Sequence, residues 1–186
     1  MAQPRLRSNA IAALNSKYHR LALYGFLFIV VAHWAEHITQ AVQIYALGWP
    51  RPQAGGVLGL WFPWLVKSEV MHYGYALVML TGFVVLRHGF HGRARTWWNL
   101  ALWIQVWHHF EHALLFLQSL TGQNLLGGAA PTSILQLVFP RVELHLFYNA
   151  VVFIPMVVAM VLHRRPRLDD LVECTCAPGR TPAAVG

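Results

Sequence analysis

The chain has 186 residues, of which 56% are hydrophobic and only 11% are charged. Soluble domains carry roughly 25% charged residues, so this composition excludes a disordered chain and disfavours an ordinary cytosolic enzyme. With two cysteines, the chain is also not a disulfide-stapled secreted scaffold. The class that remains is a small all-α integral membrane protein. Only two of the fourteen basic residues are lysine, which is typical of a bacterial, GC-rich genome.

Four stretches are long and apolar enough to cross a bilayer, which takes about 20 mostly apolar residues. They run from about Arg20 to Leu47, Lys67 to Leu86, Thr96 to Leu120 and Arg141 to Leu162. We therefore predict a four-helix membrane bundle in a single four-span domain over residues 1–168, followed by a mobile cytoplasmic tail over 169–186. The first stretch is too long and too polar at its far end for a signal peptide, so we expect it to be retained.

The basic residues predict the direction of the spans. The net charge is +7, and eleven of the fourteen Lys and Arg residues fall in the N-terminal tail, the loop between spans two and three, and the C-terminal tail. Because Lys and Arg concentrate on the cytoplasmic side of a plasma membrane, both termini are expected there. The outward loops are then 48–66 and 121–140. This distribution favours topology over a nucleic-acid groove, so no nucleic-acid partner is expected.

The two halves of the chain resemble each other. The motif HxxEH occurs in span one and again in span three, and spans two and four each carry a His followed three residues later by a Tyr. The matching residues are His33, Glu36, His37, His72 and Tyr75 in one half and His108, Glu111, His112, His145 and Tyr148 in the other. We predict a duplicated two-helix hairpin with halves at about 18–92 and 93–165, related by a pseudo-twofold axis along the membrane normal.

The repeated histidines are candidate metal ligands. Residues at i, i+3 and i+4 share a helix face, so each HxxEH motif presents three side chains together. All four spans bring their histidines to a similar level in the outer half of the membrane, which is how a bundle builds a metal site. The predicted ligands are His33, His37, His72, His108, His112, His145 and Glu69. The HHxxH run leaves open whether His108 or His109 is the inward ligand.

One acidic residue lies in each span, within three positions of a histidine. These residues are Glu36, Glu69, Glu111 and Glu143. Burying an ionisable group in a span costs at least a few kcal/mol, so such a residue indicates a function. We expect Glu36 and Glu111 to orient histidines or to move protons, and Tyr75 and Tyr148 to supply hydrogen bonds in catalysis. Whether the glutamates bind the metal or hydrogen-bond to its ligands stays open, and Glu143 is expected to face elsewhere.

Two sets of three imidazoles predict a dinuclear site. Imidazole suits Fe, Cu and Zn, and we expect Fe or Cu, with Zn as a further option. The HxxxH and HHxxH elements resemble, in ligand type, the histidine boxes of integral membrane di-iron oxygenases such as desaturases and alkane hydroxylases. This chain has fewer histidines than those families and places them on the outer side.

These features favour a membrane metal-dependent oxidoreductase or oxygenase that acts on a lipid-soluble or small substrate. The chain has no GxGxxG or P-loop motif, so a reductant has to come from an external electron donor. Two alternatives remain open: a b-type haem electron-transfer subunit, and a metal transport or delivery protein. Ligands at one depth count against the haem, and the apolar inner halves of the spans count against transport. A homo-oligomer and a subunit of a larger membrane complex both remain open.

Some polar residues outside this set receive a simpler interpretation. His19, His88, His91 and His163 lie at the cytoplasmic border, where we expect contact with solvent or lipid headgroups. Cys174 and Cys176 form a CxC pair that can capture a soft metal in a reducing compartment. The preferred interpretation is two incidental thiols in the tail.

Overall fold

The computed structural model describes residues 10–165 and Cys176, and within them all regular structure is helical. This confirms the predicted all-α class for that part of the chain. The helices are α1 (His19–Tyr45), α2 (Gly56–Trp61), α3 (Pro63–Val66), α4 (Glu69–Leu86), α5 (Gly92–Thr121) and α6 (Arg141–Arg164). Short 3₁₀ turns occupy Arg51–Gln53, Arg87–Gly89, Leu125–Gly127 and Leu135–Leu137. The predicted mobile tail over 169–186 lies outside the described residues except for Cys176.

Three of the four predicted spans coincide with helices that are long and apolar enough to cross a membrane, namely α1, α4 and α6. Helix α5 covers the predicted third span and is the longest, at 30 residues, but it is less apolar overall. It is rich in polar side chains, and five of these are buried. They are Gln105, His108, Glu111, His112 and Gln118. Hydropathy summed along the helix therefore misses that its polar groups face inward.

The four long helices pack in a closed ring, in which α4 and α6 each contact both α1 and α5. An apolar core fills the end of the ring near the start of α1 and the end of α6. At its centre, the buried Trp98 indole donates a hydrogen bond to the Phe83 carbonyl at 2.9 Å, and the Phe90 ring stacks on Trp98 with centroids 4.1 Å apart. This core holds the helices in register, so that polar residues at the opposite end of the ring meet.

At the other end, two buried glutamines attach the loops to the helices. The Gly56 N–H donates to Gln43 Oε1 at 2.9 Å, and Gln43 Nε2 donates to the Gly56 carbonyl at 3.2 Å. Gln118 Oε1 accepts from the N–H groups of Leu125 and Thr132 at 2.7 and 3.2 Å. These bonds replace water for loop backbone groups that lie against the helix ends.

Candidate metal centre

The tightest group of histidines comes from α5 and α6. His108 and His112 are one turn apart on α5 and share a face, and His145 lies in the second turn of α6. His112 Nε2 is 3.2 Å from His108 Nε2 and 3.3 Å from His145 Nε2. Ligand atoms of all three lie within 4.8 Å of one another, and all three side chains are buried. A tetrahedral ion with nitrogens at about 2.0–2.1 Å separates them by about 3.3 Å, so this spacing suits three ligands of one ion.

Backbone carbonyls fix the tautomer of two histidines at matching helix starts. His145 Nδ1 lies 2.7 Å from the Arg141 carbonyl, and His72 Nδ1 lies 2.8 Å from the Ser68 carbonyl. A carbonyl oxygen only accepts, so Nδ1 carries the proton in both rings. The Nε2 lone pair is then available to a metal, which is the usual arrangement of a metal-binding histidine.

On α1, His33 and His37 form a similar pair, with their Nε2 atoms 3.1 Å apart. His37 Nδ1 bonds to Gln40 Oε1 at 2.8 Å, which again leaves Nε2 as the ligand atom. The His33 ring stacks on Tyr75, with centroids 3.8 Å apart. This half of the cluster therefore supplies two converging nitrogens.

His72 faces the other half. Its ring centroid lies 6.1 Å from that of His112 and 6.4 Å from that of His145. The rings of His37 and His145 are 4.8 Å apart, so all six histidines belong to one connected cluster. Within the described residues, the α5–α6 triad is close enough to hold an ion with three ligands, whereas the predicted triad of His33, His37 and His72 is not among such groups.

His108, rather than His109, belongs to the cluster. The His109 ring is only half-buried and lies against Tyr73, with centroids 5.2 Å apart. The repeat had favoured His108, because His33 occupies the matching position in the first half.

Glu36 and Glu111 contact the loops over residues 48–66 and 121–140. The Leu58 N–H donates to the Glu36 carboxylate at 3.1 Å, and the Leu135 N–H donates to Glu111 at 2.8 Å. Neither carboxylate has a hydrogen bond to a histidine among the described residues. Gly56 leaves room for this contact, because a Cβ there would come within 2.2 Å of Glu36 Oε2 and the residue has a φ of +73°. Helix periodicity does not predict that these two carboxylates accept hydrogen bonds from backbone N–H groups of the loops.

The two predicted tyrosines differ in their hydrogen bonds. Tyr148 donates to Glu111 at 2.8 Å and accepts from the Trp107 indole at 2.7 Å, while its ring lies 4.3 Å from that of His108. The Tyr75 hydroxyl instead donates to the Ile29 carbonyl at 2.8 Å. The second half of the cluster is thus closed by a network of side chains that the first half lacks.

A cavity of about 410 Å³ opens beside the first half. Its polar lining includes His33, Glu36, His37, His72 and Tyr75, and its apolar lining includes Phe28, Ile29 and Met71. A volume of this size with a few convergent polar groups on an apolar wall is typical of a small-molecule site. The histidine cluster is therefore accessible from one side.

The remaining two glutamates, Glu69 and Glu143, each pair with an arginine from the other half of the chain. Arg141 contacts both carboxylate oxygens of Glu69, at 2.6 and 2.8 Å. Arg51 contacts Glu143 at 2.5 and 3.0 Å, and the Tyr45 hydroxyl also bonds to Glu143. Glu143 faces away from the histidines, in keeping with the sequence. Both carboxylate oxygens of Glu69 are engaged by Arg141. The role of Glu69 as a metal ligand stays a prediction.

No protein-family model matches the chain, and no curated protein or solved structure shows significant similarity to it. Any function has to be inferred from the site itself.

The sequence did not indicate a second group of candidate ligands, His19, His163 and Cys176, at the end of the helices away from the cluster. The sequence predicts the two histidines to lie at the membrane border and Cys176 to lie in the tail. Their wide separation along the chain left no local spacing that could have identified them.

Proposed function

We propose that this chain is an integral membrane metalloprotein whose histidine cluster holds two transition-metal ions, Fe or Cu, and that it acts as an oxidoreductase or oxygenase. The observation that carries the proposal is the convergence of the His108, His112 and His145 nitrogens at separations of 3.2 and 3.3 Å. Iron and copper both accept imidazole ligands. The second ion would be held by His33 and His37, with His72 and the open cavity completing its surroundings.

We propose that α5 is a fourth membrane span. Its 30 residues extend about 45 Å, beyond the roughly 30 Å of a hydrocarbon core. Beyond Arg93 in its first turn, its large exposed side chains are apolar. They are Trp97, Leu100, Trp103, Val106, Trp107, Phe110, Leu117 and Leu120. A helix with this outer surface and a buried polar face suits contact with lipid outside and a polar site inside.

Matching contacts support the duplicated hairpin. In each half a His pair one turn apart brings its Nε2 atoms together, a Glu accepts from a leucine N–H in the outward loop, and a Gln bonds to loop backbone. From the basic residues we propose that both termini lie in the cytoplasm and the histidine cluster in the outer half of a plasma membrane. In this orientation the exposed Trp61 and Trp64 of the first outward loop lie at the membrane surface.

The difference between the halves assigns them different tasks. Trp107 closes the second half over Tyr148, and its counterpart in the first half, 75 positions earlier, is Ala32, which lines the cavity. The smaller side chain leaves space beside His33 and Glu36. A lipid-soluble or small substrate would enter there, where Glu36 is placed to accept or release a proton. A metal bound in the cluster would supply the redox chemistry, with electrons from an external donor.

Two observations bear on the alternatives. A haem with two histidine ligands needs imidazoles on opposite faces of the porphyrin. The Nε2 atoms of His33 and His37 and of His112 and His145 lie only 3.1 and 3.3 Å apart, so no ring fits between the members of these pairs. The second ligand group at the far end favours metal transport, but the packed core of Phe26, Phe83 and Trp98 lies between the two groups and blocks a polar path.

Metal analysis and an optical spectrum of the protein extracted from membranes test the proposal together. We expect about two Fe or Cu ions per chain in the cluster, counted in the Cys176→Ser variant to exclude sulfur-bound metal, and no Soret band. One ion per chain would contradict the dinuclear site. A Soret band would establish the haem alternative. Less than one metal ion per chain would contradict the proposal.

A further inference from the structure

The ligand group at the far end is formed by three segments distant in sequence. His19 is the first residue of α1, His163 lies in the last turn of α6, and Cys176 belongs to the segment beyond α6. Cys176 Sγ lies 3.5 Å from His19 Nδ1, and the two imidazole rings have centroids 4.9 Å apart. His19 is 0% exposed and Cys176 is 3% exposed. The sequence predicts contact with solvent or lipid headgroups for these histidines, but the structure buries His19 completely.

Packing holds the two rings in place. The Phe90 ring lies 5.3 Å from His19 and 4.9 Å from His163, by centroids. Gly89 approaches so closely that a Cβ there would come within 2.3 Å of His19 Cε1. The turn at Gly89 is in turn fixed by Asn15, whose Oδ1 accepts from the Gly89 N–H at 2.7 Å. The imidazoles therefore lie in a rigid pocket, which lowers the entropy cost of binding a ligand there.

We propose that His19, His163 and Cys176 bind one metal ion, Zn²⁺ or Cu⁺, through a thiolate and two imidazoles. Candidate ligand atoms of the three residues lie within 4.8 Å of one another. A tetrahedral ion with sulfur at about 2.3 Å and nitrogen at about 2.0–2.1 Å separates the two atoms by about 3.6 Å, close to the 3.5 Å between Cys176 Sγ and His19 Nδ1. Thiolate with imidazole selects Zn and Cu over harder ions. Binding releases the thiol proton to solvent.

The site at His19, His163 and Cys176 does not depend on the function proposed for the histidine cluster. The ion would tie Cys176 to the start of α1 and the end of α6. In the proposed topology this end faces the cytoplasm, where a thiol stays reduced and available to a metal.

Cobalt titration of the full chain in detergent tests the site. After removal of bound metal with a chelator, Co²⁺ is added and the near-ultraviolet absorption is recorded. A thiolate bound to Co²⁺ gives a sulfur-to-metal charge-transfer band, and the histidine cluster has no sulfur ligand. We expect the band in the wild type and in His112→Ala, its loss in Cys176→Ser, and at least about tenfold weaker Co²⁺ binding in His163→Ala.

Cys174→Ser is the matched control, since it removes the other thiol of the same segment, and we expect it to keep the band. A wild-type protein without the band, or a band that survives Cys176→Ser, would overturn the proposal. Circular dichroism of each variant confirms that the helices remain folded. If the histidine cluster binds no metal, the cobalt–thiolate band is still expected, so the two proposals fail separately.

Discussion

Replacing His112 with alanine is expected to empty the α5–α6 triad of metal, whereas replacing the neighbouring His109 is not. His112 is the central ligand, because its Nε2 lies within 3.3 Å of the Nε2 atoms of both His108 and His145. Loss of a residue that only supports a ligand typically costs about 10–100-fold in metal affinity. Loss of the central ligand should therefore weaken binding at least about 100-fold.

His109→Ala is a close control, since it removes the same imidazole from the adjacent position of the same helix. Its ring packs on Tyr73 outside the cluster, so metal affinity should stay near that of the wild type. Competition with a chromophoric chelator measures both affinities. Unchanged affinity in His112→Ala, or an equal loss in both variants, would contradict the assignment of the triad.

The second large effect is expected on stability. Glu111 is 2% exposed and accepts from the Leu135 N–H and the Tyr148 hydroxyl, both at 2.8 Å. Glu111→Ala leaves two donors without their acceptor, and an unsatisfied buried group costs about 1–3 kcal/mol. We therefore expect a decrease of that order or more in the free energy of unfolding, measured by denaturant titration in detergent micelles. Glu111→Gln, which keeps a carbonyl oxygen, should lose less.

Glu36→Ala is the matched variant in the other half. Glu36 is less buried and, among the residues that the structure describes, accepts only from the Leu58 N–H. Its loss should therefore destabilise the protein less than the loss of Glu111. An equal or larger effect of Glu36→Ala would show that the network of Glu111 with Tyr148 and Trp107 does not stabilise the second half.

The sequence predicted the elements of the site that depend on helix periodicity. The spacing of His33 with His37 and of His108 with His112 places each pair on one helix face, and the structure brings their Nε2 atoms together. The repeat also favoured His108 over His109. These features are local, because a helix fixes the relative direction of side chains three or four residues apart.

Contacts between distant segments could not be predicted in this way. The acceptor roles of Glu36 and Glu111 depend on where the loops over residues 48–66 and 121–140 return to the helices. Their partners Leu58 and Leu135 lie 22 and 24 residues away, beyond the range of helix periodicity. Cys176 meets His19 across 157 residues for the same reason. Hydropathy summed along α5 likewise includes polar groups such as Gln105, and their burial depends on contacts with other helices.

The central claim is that imidazoles from several helices hold a transition metal, and X-ray absorption at the metal edge tests it most directly. The sample is the Cys176→Ser variant extracted from membranes, so that sulfur-bound metal does not contribute. We predict a nitrogen shell at about 2.0–2.1 Å with the outer-shell scattering of imidazole carbons, as expected for histidine ligands. A protein without bound metal, or a metal with no imidazole scattering in its spectrum, would contradict the account.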